Sequence, residues 1–255
     1  MKYNCIDLFC GAGGMSYGFE TVGFKTFFSV EFNKTYAETY KLNFKNTNIY
    51  VGDIKNISNE EIIQQCSERK VDIIIGGPPC QGFSIAGNIG RKFLDDDRNH
   101  LFLEYLRFVN ILQPKMFVLE NVAALVTHNK GKTINEIVEC FEKCGYKVQY
   151  KVLNSNVPQE RRRVFVVGTK PGFNFKFPKE SNKEISIKEA IGDLPKLESG
   201  EKSNVNLHEA MNHSRQMLEK MKYVKDGGDR NDIPESLRPT SGDIRKYIRY
   251  ASWKP

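Results

Sequence analysis

The chain has 255 residues, 40% of them hydrophobic and 27% charged, with a formal net charge of +7 and an isoelectric point near 9.0. That length buries a substantial core in one large domain with room for a smaller appendage, and the composition excludes membrane-spanning and disordered classes. The basic balance suits a polyanionic partner. Met1-Lys2-Tyr3-Asn4-Cys5-Ile6-Asp7 does not read as a secretory leader, because its apolar run is short and Asp7 interrupts it; a cytoplasmic protein without membrane association is expected. The six cysteines (5, 10, 66, 80, 140 and 144) form no CxxC pair, so reduced thiols are expected and no metal site.

In chain order, strand-like runs fall at residues 3–9, 25–30, 71–75, 116–119, 146–153 and 164–168, with helical segments at 14–21, 34–44, 60–66, 100–112 and 133–144 between them. This alternation predicts an α/β fold, a doubly wound and mostly parallel sheet. The helix at 100–112 places Leu101, Tyr105, Phe108 and Leu112 on one face, as for a helix packed on a sheet. Beyond residue 178 the chain is richer in Lys, Glu, Asn and Ser, and only 211–224 reads as a solid helix. A main domain over 1–178 and an incomplete small C-terminal region over 179–255 are expected.

The first strand runs into Cys10-Gly11-Ala12-Gly13-Gly14, a strand–turn–helix passage. Its glycines let backbone lie beneath a ligand, while the helix start offers free N–H donors. Read alone, a tight βα turn explains it equally well. Glu31, after the second strand, stands where a carboxylate takes ribose hydroxyls, and Asp53 in Gly52-Asp53-Ile54 could accept from an adenine amino group. Phe9 and Phe32 could flank an adenosine. Ser16 occupies the place of the third glycine of a dinucleotide fingerprint, which disfavours a nicotinamide cofactor.

The apolar run Val71-Asp72-Ile73-Ile74-Ile75 leads into Gly76-Gly77-Pro78-Pro79-Cys80-Gln81-Gly82-Phe83-Ser84. Cys80 therefore follows the C-terminal end of a strand, where α/β sheets bind ligands. Two prolines stiffen its approach. Glu120, in Glu120-Asn121-Val122, sits at the same edge of the sheet; such a glutamate either caps the next helix or serves as a proton donor. In Gln159-Glu160-Arg161-Arg162-Arg163, strand alternation puts Arg161 and Arg163 on one side and Arg162 on the other.

Taken together, these blocks closely resemble the DNA cytosine-5 methyltransferases. The match runs from Asp7-Leu8-Phe9-Cys10-Gly11-Ala12-Gly13-Gly14 through Glu31, Gly52-Asp53-Ile54, Pro78-Pro79-Cys80-Gln81 and Asp97-Arg98-Asn99-His100-Leu101-Phe102. It continues through Glu120-Asn121-Val122 and the Gln159-x-Arg161-x-Arg163 pattern, covering roughly residues 3–170. The resemblance implies a Rossmann-like fold, S-adenosyl-L-methionine as cofactor and a cytosine flipped out of double-stranded DNA as substrate. It implies catalysis by Cys80, Glu120, Arg161 and Arg163, with Cys80 adding to C6, Glu120 at N3, Arg163 near the base and Arg161 orienting Glu120. Phe9, Gly11, Gly13, Gly14, Glu31, Phe32, Asp53, Ile54, Pro78 and Leu101 would line the cofactor pocket. Residues 84–97 would close over the DNA. Residues 186–194, 219–239 and 250–255 resemble the first part of the family's target-recognition region. The rest of that region and a closing helix have no counterpart, so a C-terminal partner piece is expected, or else a truncated remnant that binds without turnover. A zinc deaminase is excluded, since Phe83 stands where Pro-Cys-x-x-Cys needs cysteine and no His-x-Glu occurs.

Overall fold

The structure is a computed structural model, and it describes residues 3–79, 100–155, 157–179, 185–225 and 228–238. The chain divides into two compact units: Met1–Asn154 with Arg162–Glu180, and Ser155–Arg161 with Ser181–Pro255. The sequence reading put the division after residue 178 and did not separate residues 155–161.

The first unit is built on a seven-stranded sheet with the order β3-β2-β1-β4-β5-β7-β6. Its strands are β1 (Tyr3–Leu8), β2 (Phe24–Glu31), β3 (Asn48–Val51), β4 (Ile73–Gly76), β5 (Met116–Val122), β6 (Lys147–Asn154) and β7 (Arg162–Thr169). β1 to β5 pair in parallel, and β7 runs antiparallel between β5 and β6. The connecting helices are α1 (Gly14–Thr21), α2 (Lys34–Asn43), α3 (Asn59–Cys66), α4 (His100–Leu112) and α5 (Lys132–Lys143). This is the doubly wound, mostly parallel architecture expected. Strand order reverses between β1 and β4, which is where such sheets open a ligand crevice.

Side-chain alternation feeds two apolar layers. Ile6, Leu8, Ile74, Phe117, Leu119, Val164 and Val166 join the larger core with residues of α3, α4 and α5. Cys5, Ile73, Ile75, Val118 and Val167 face the other way, against Met15 and Phe19 of α1 and against Phe175 and Phe177. β4 is wholly buried, as a parallel strand covered on both faces must be. On α4 the buried stripe is Phe102, Tyr105, Phe108 and Val109; Tyr105 and Phe108 are as expected, while Leu101 and Leu112 pack at its margins, partly buried. Aromatic packing decides this. Phe102 and Tyr105 meet Phe141 edge-on at 5.7 and 6.2 Å, and Phe141 stacks on Phe117 at 4.0 Å.

Local signals set several boundaries. Ser58 and Glu61 form a capping box that starts α3 at Asn59. Asn33 caps α2 by accepting from the N–H groups of Thr35 and Tyr36. β5 runs past residue 119 because β7 continues to pair with it, Glu120 with Phe165 and Val122 with Arg163. In the second unit the helix expected over 211–224 shrinks to α7 (Arg215–Met221), which Ser214 caps through the N–H of Met217; a shorter α6 (Ile187–Ile191) precedes it.

Leu8 and Gly76 are the last paired residues of β1 and β4. A Cβ on Gly76 would lie 2.3 Å from the Leu8 carbonyl oxygen and 3.1 Å from the Tyr105 ring. Backbone cannot yield as a side-chain tip can. Gly76→Ala is therefore expected to lower unfolding free energy by about 3 kcal/mol or more in urea titrations, whereas Gly11→Ala, which meets nothing within 4 Å, costs mainly its φ preference.

Candidate active site

From Leu8 the chain turns through Phe9, Cys10, Gly11, Ala12 and Gly13 into α1. Phe9, Gly11 and Gly13 adopt left-handed φ angles of 62°, 55° and 98°. Glycine does so freely, but Phe9 does so at a cost of about 1–2 kcal/mol. At Gly13 a Cβ would come 2.2 Å from the Phe44 ring, so the turn rests directly on that side chain. Around Gly11 and Gly14 the space is open, and the backbone there forms a cradle that a flat ligand can approach.

Glu31, at the end of β2, is 8% exposed. Its Oε2 accepts the N–H of Gly11 at 2.8 Å and its Oε1 the N–H of Asn33 at 2.7 Å. Each oxygen retains a second lone pair for a ligand hydroxyl. The Glu31 carbonyl accepts from Gly52 N–H at 2.9 Å, which ties the end of β3 to the same place. Asp53 uses Oδ1 to cap a 3-10 turn, Ile54–Asn56, accepting from Lys55 N–H at 3.0 Å. Phe32 is 74% exposed, while Phe9 and Leu101 are partly buried against the main core. Ile54, beside Asp53, is 2% exposed and its side chain joins the main core.

Gly13 gives α1 no side-chain cap. Asp7, on the neighbouring strand and 1% exposed, supplies one from outside the helix. Its carboxylate accepts the Ser16 hydroxyl at 2.6 Å and also the Ser16 backbone N–H. Burial pushes the Asp7 carboxyl up to about 7; the Ser16 bonds oppose that rise and the charge of Glu31 adds to it. Neither Asp7 as a cap nor Ser16 as its donor was expected from sequence. The signal was present, however: a carboxylate inside an otherwise apolar strand needs a partner.

The second cluster lies where β4 and β5 end. Cys80 and the expected closing segment 84–97 lie outside the described residues. The approach to Cys80 is described as far as Pro79. Pro78 is buried, and its carbonyl accepts from Asn121 Nδ2 at 3.0 Å. Asn121 Oδ1 in turn accepts the N–H of Val122 at 2.8 Å, so this 5%-exposed amide clamps the proline segment to β5. Glu120, one residue past the final β4–β5 pair, is held by Arg163 Nε at 2.9 Å from Oε1. Its Oε2 lies over Gly77, where an added Cβ would be 3.0 Å away.

Glu120 thus meets Arg163, where the resemblance had implied Arg161 as the residue orienting it. Val122 and Arg163 are register partners, so Arg163 is the diagonal neighbour of Glu120 on the same face of the sheet. It is Arg163 that orients Glu120 here. Arg161 precedes β7, is exposed, and groups with the second compact unit. The described residues thus bring Gly11 together with Glu31, and Glu120 together with Arg163 and Gly77. Among the described residues, no group of three or more His, Cys, Asp or Glu could hold a metal ion, and no helix is long and apolar enough to cross a membrane.

A family model described as C-5 cytosine-specific DNA methylase matches residues 3–253. The Type II methyltransferase M1.HphI of Haemophilus parahaemolyticus is 56% identical over 259 residues, covering 100% of this chain and 70% of that protein. M.XorII of Xanthomonas oryzae pv. oryzae is 39% identical over 201 residues, covering 76% of this chain and 47% of its own length. Against some of its curated relatives, then, the chain spans about half of their length. Among solved structures, a DNA modification methyltransferase encoded within an E. coli prophage superposes with a TM-score of 0.66 at 24% identity. That match covers 91% of this chain and 67% of the other. At that identity the likeness is one of fold.

Two measurements follow from this geometry. Asn121→Ala leaves the Pro78 carbonyl and the Val122 N–H without their partner, and is expected to cost about 1–3 kcal/mol in chemical denaturation. Because the folded carboxyl of Asp7 sits near 7, above the ordinary aspartate value of 3.8, the folded chain binds this proton more tightly than the unfolded one. The stabilising contribution is present in full below about pH 4 and is lost as pH rises through about 7. Wild-type stability should therefore fall relative to Asp7→Asn as pH rises from 5 to 7, at a slope of up to about 1.4 kcal/mol per pH unit.

Proposed function

The chain belongs to the C-5 cytosine-specific DNA methylase family, and from that premise we propose that it methylates C5 of a cytosine in double-stranded DNA as part of a restriction–modification system. The family draws its methyl group from S-adenosyl-L-methionine, which when bound supplies an electrophilic methyl on a sulfonium centre. The glycine turn fits such a group. Its open cradle at Gly11 and Gly14 admits a flat adenosyl moiety, and the free lone pairs of Glu31 suit vicinal ribose hydroxyls. Asp53 and Phe32 stand beside the same strand ends, and Leu101 and Pro78 complete the proposed wall.

The remaining chemistry belongs to this chain's own side chains. C5 of cytosine is a poor nucleophile. The Cys80 thiolate bonds to C6, moving ring electrons toward C5. Glu120 meets N3 and keeps negative charge from accumulating on the ring. Arg163 fixes the carboxylate that does so, and Asn121 fixes the peptide leading to Cys80. Once C5 has been substituted it loses its proton, the C6–S bond breaks, and the thiolate is restored.

A single observation carries this reading. Glu120 is held by an arginine across the end of β5 and lies over Gly77, three residues before Cys80, at the sheet edge that also bears the glycine turn. The proposal assigns the start of the DNA-recognition surface to residues 186–194, 219–239 and 250–255, on the strength of their resemblance to that region of the family.

A duplex carrying 5-fluorocytosine tests the proposal, because fluorine cannot leave C5 as a proton does and the adduct persists. With S-adenosyl-L-methionine present, a covalent protein–DNA species is expected on denaturing gels, absent in Cys80→Ala and slowed at least about a hundredfold in Glu120→Gln. The assay is run with and without a C-terminal piece from a longer relative. No adduct in either arm would overturn the proposal in favour of a chain that binds without turnover.

A further inference from the structure

Behind the glycine turn runs a chain of buried hydroxyls that the proposed reaction does not use. Asp7 and Ser29 are register partners on β1 and β2, 1% and 0% exposed. Tyr40 of α2 is also 0% exposed, and its phenol oxygen lies 2.7 Å from Ser29 Oγ and 2.8 Å from Ser16 Oγ. Ser16 Oγ lies 2.6 Å from Asp7 Oδ2. Each hydroxyl has one proton to give. With Asp7 ionised, the directions are therefore fixed: Ser16 donates to Asp7, Tyr40 donates to Ser16, and Ser29 donates to Tyr40. The line joins β2, α2, α1 and β1, and it ends on the carboxylate that caps α1.

α2 supports the turn at further points. The Phe44 ring, 4.5 Å from that of Tyr40, fills the space where a Gly13 side chain would be. Asn33, the cap of α2, and Gly11 share the Glu31 carboxylate. The turn is thus pinned from beneath at Gly11, Gly13 and Ser16. Among the described residues it is the hydroxyl line, through Tyr40, that links the third pin to α2.

We propose that Tyr40 is a positioning residue for cofactor binding, setting through Ser16 and Asp7 the height and tilt of the glycine turn on which the cofactor lies. The inference rests on the reading of that turn as the S-adenosyl-L-methionine site. None of the four side chains in the line is exposed, so they act through the turn and not by touching the ligand. The line is also polar in sense. Protonation of Asp7 removes its charge, so the bond it accepts from Ser16 drops from a charge-assisted one to a weaker neutral one and the line holds the turn less firmly. Ser16 bonds Asp7 directly, and the Glu31 carboxylate, the Cys5 and Cys10 thiols and the Tyr40 and Tyr105 phenols lie within electrostatic reach of it, Tyr105 from the other face of β1.

The test is calorimetric titration of the full chain with S-adenosyl-L-methionine between pH 6 and 8, beside thermal melts of every variant. Tyr40→Phe keeps the ring and deletes one hydroxyl. Its Kd is expected to rise about tenfold at a temperature where it and the wild type are both fully folded. Wild-type affinity should weaken toward pH 6, while Asp7→Asn binds weakly with a flat profile. Ser29→Ala, which removes only the far donor, should shift Kd in the same direction by less and serves if Tyr40→Phe does not fold. Wild-type binding with Tyr40→Phe and Ser29→Ala inside twofold of it, and an unchanged pH profile in Asp7→Asn, would overturn the inference and leave the cofactor reading standing. No binding by the wild type at millimolar ligand would overturn both.

Discussion

The close pairing of β1 with β4 is the constraint on which the candidate site depends. Leu8 and Gly76 are partners at the strand ends, and Gly76 has no room for a side chain against the Leu8 carbonyl. Because strand order reverses between these two strands, their outgoing loops diverge to opposite sides and leave a crevice between them. One loop is the glycine turn, and the other leads through Gly77 and Pro78 toward Cys80. Separating the strands by even one side chain would part the two halves of the site.

Around that crevice the structure places buried polar groups where a purely stabilising design would put apolar ones. Asp7, Ser16, Ser29, Glu31 and Asn121 are all less than 9% exposed. Each is satisfied by named partners, so the desolvation penalty is met by hydrogen bonds and not left open. What these bonds fix is backbone: the start of α1, the Gly11 peptide, the Pro78 carbonyl. The Glu120–Arg163 pair belongs to a different class. With side-chain exposures of 27% and 25% it adds little to folding stability, and its consequence is the orientation of one carboxylate. Stability and geometry are thus traded locally, with strain at Phe9 and an ionisable group at Asp7 confined to the turn.

Much of the fold was legible because its signals are local. α1 and α4 begin and end where the sequence pattern put them, and every strand-like run became a strand. The glycine turn, Glu31 and Glu120 could be picked out because residue type and place after a strand together imply a role. What was not legible shares one cause. The centring of the α4 stripe on Phe102 and Val109, the extension of β5 through Val122 and the Arg163 contact of Glu120 each depend on a neighbour distant in sequence: Phe141, β7 and Arg163 respectively. The external cap from Asp7 was missed for the same reason, since it crosses from strand to helix.

By itself, then, the sequence determined the alternation of strand and helix, the apolar layers, the family and the residue types at the ends of β1, β2, β4 and β5, since periodicity and short motifs are properties of contiguous chain. Only the tertiary structure decided which arginine meets Glu120, that Ile54 is core, and that Asp7, Ser16, Tyr40 and Ser29 share one line of hydrogen bonds. Those outcomes turn on distances of a few ångströms between strands brought together by register, and no pattern along a single chain encodes a register.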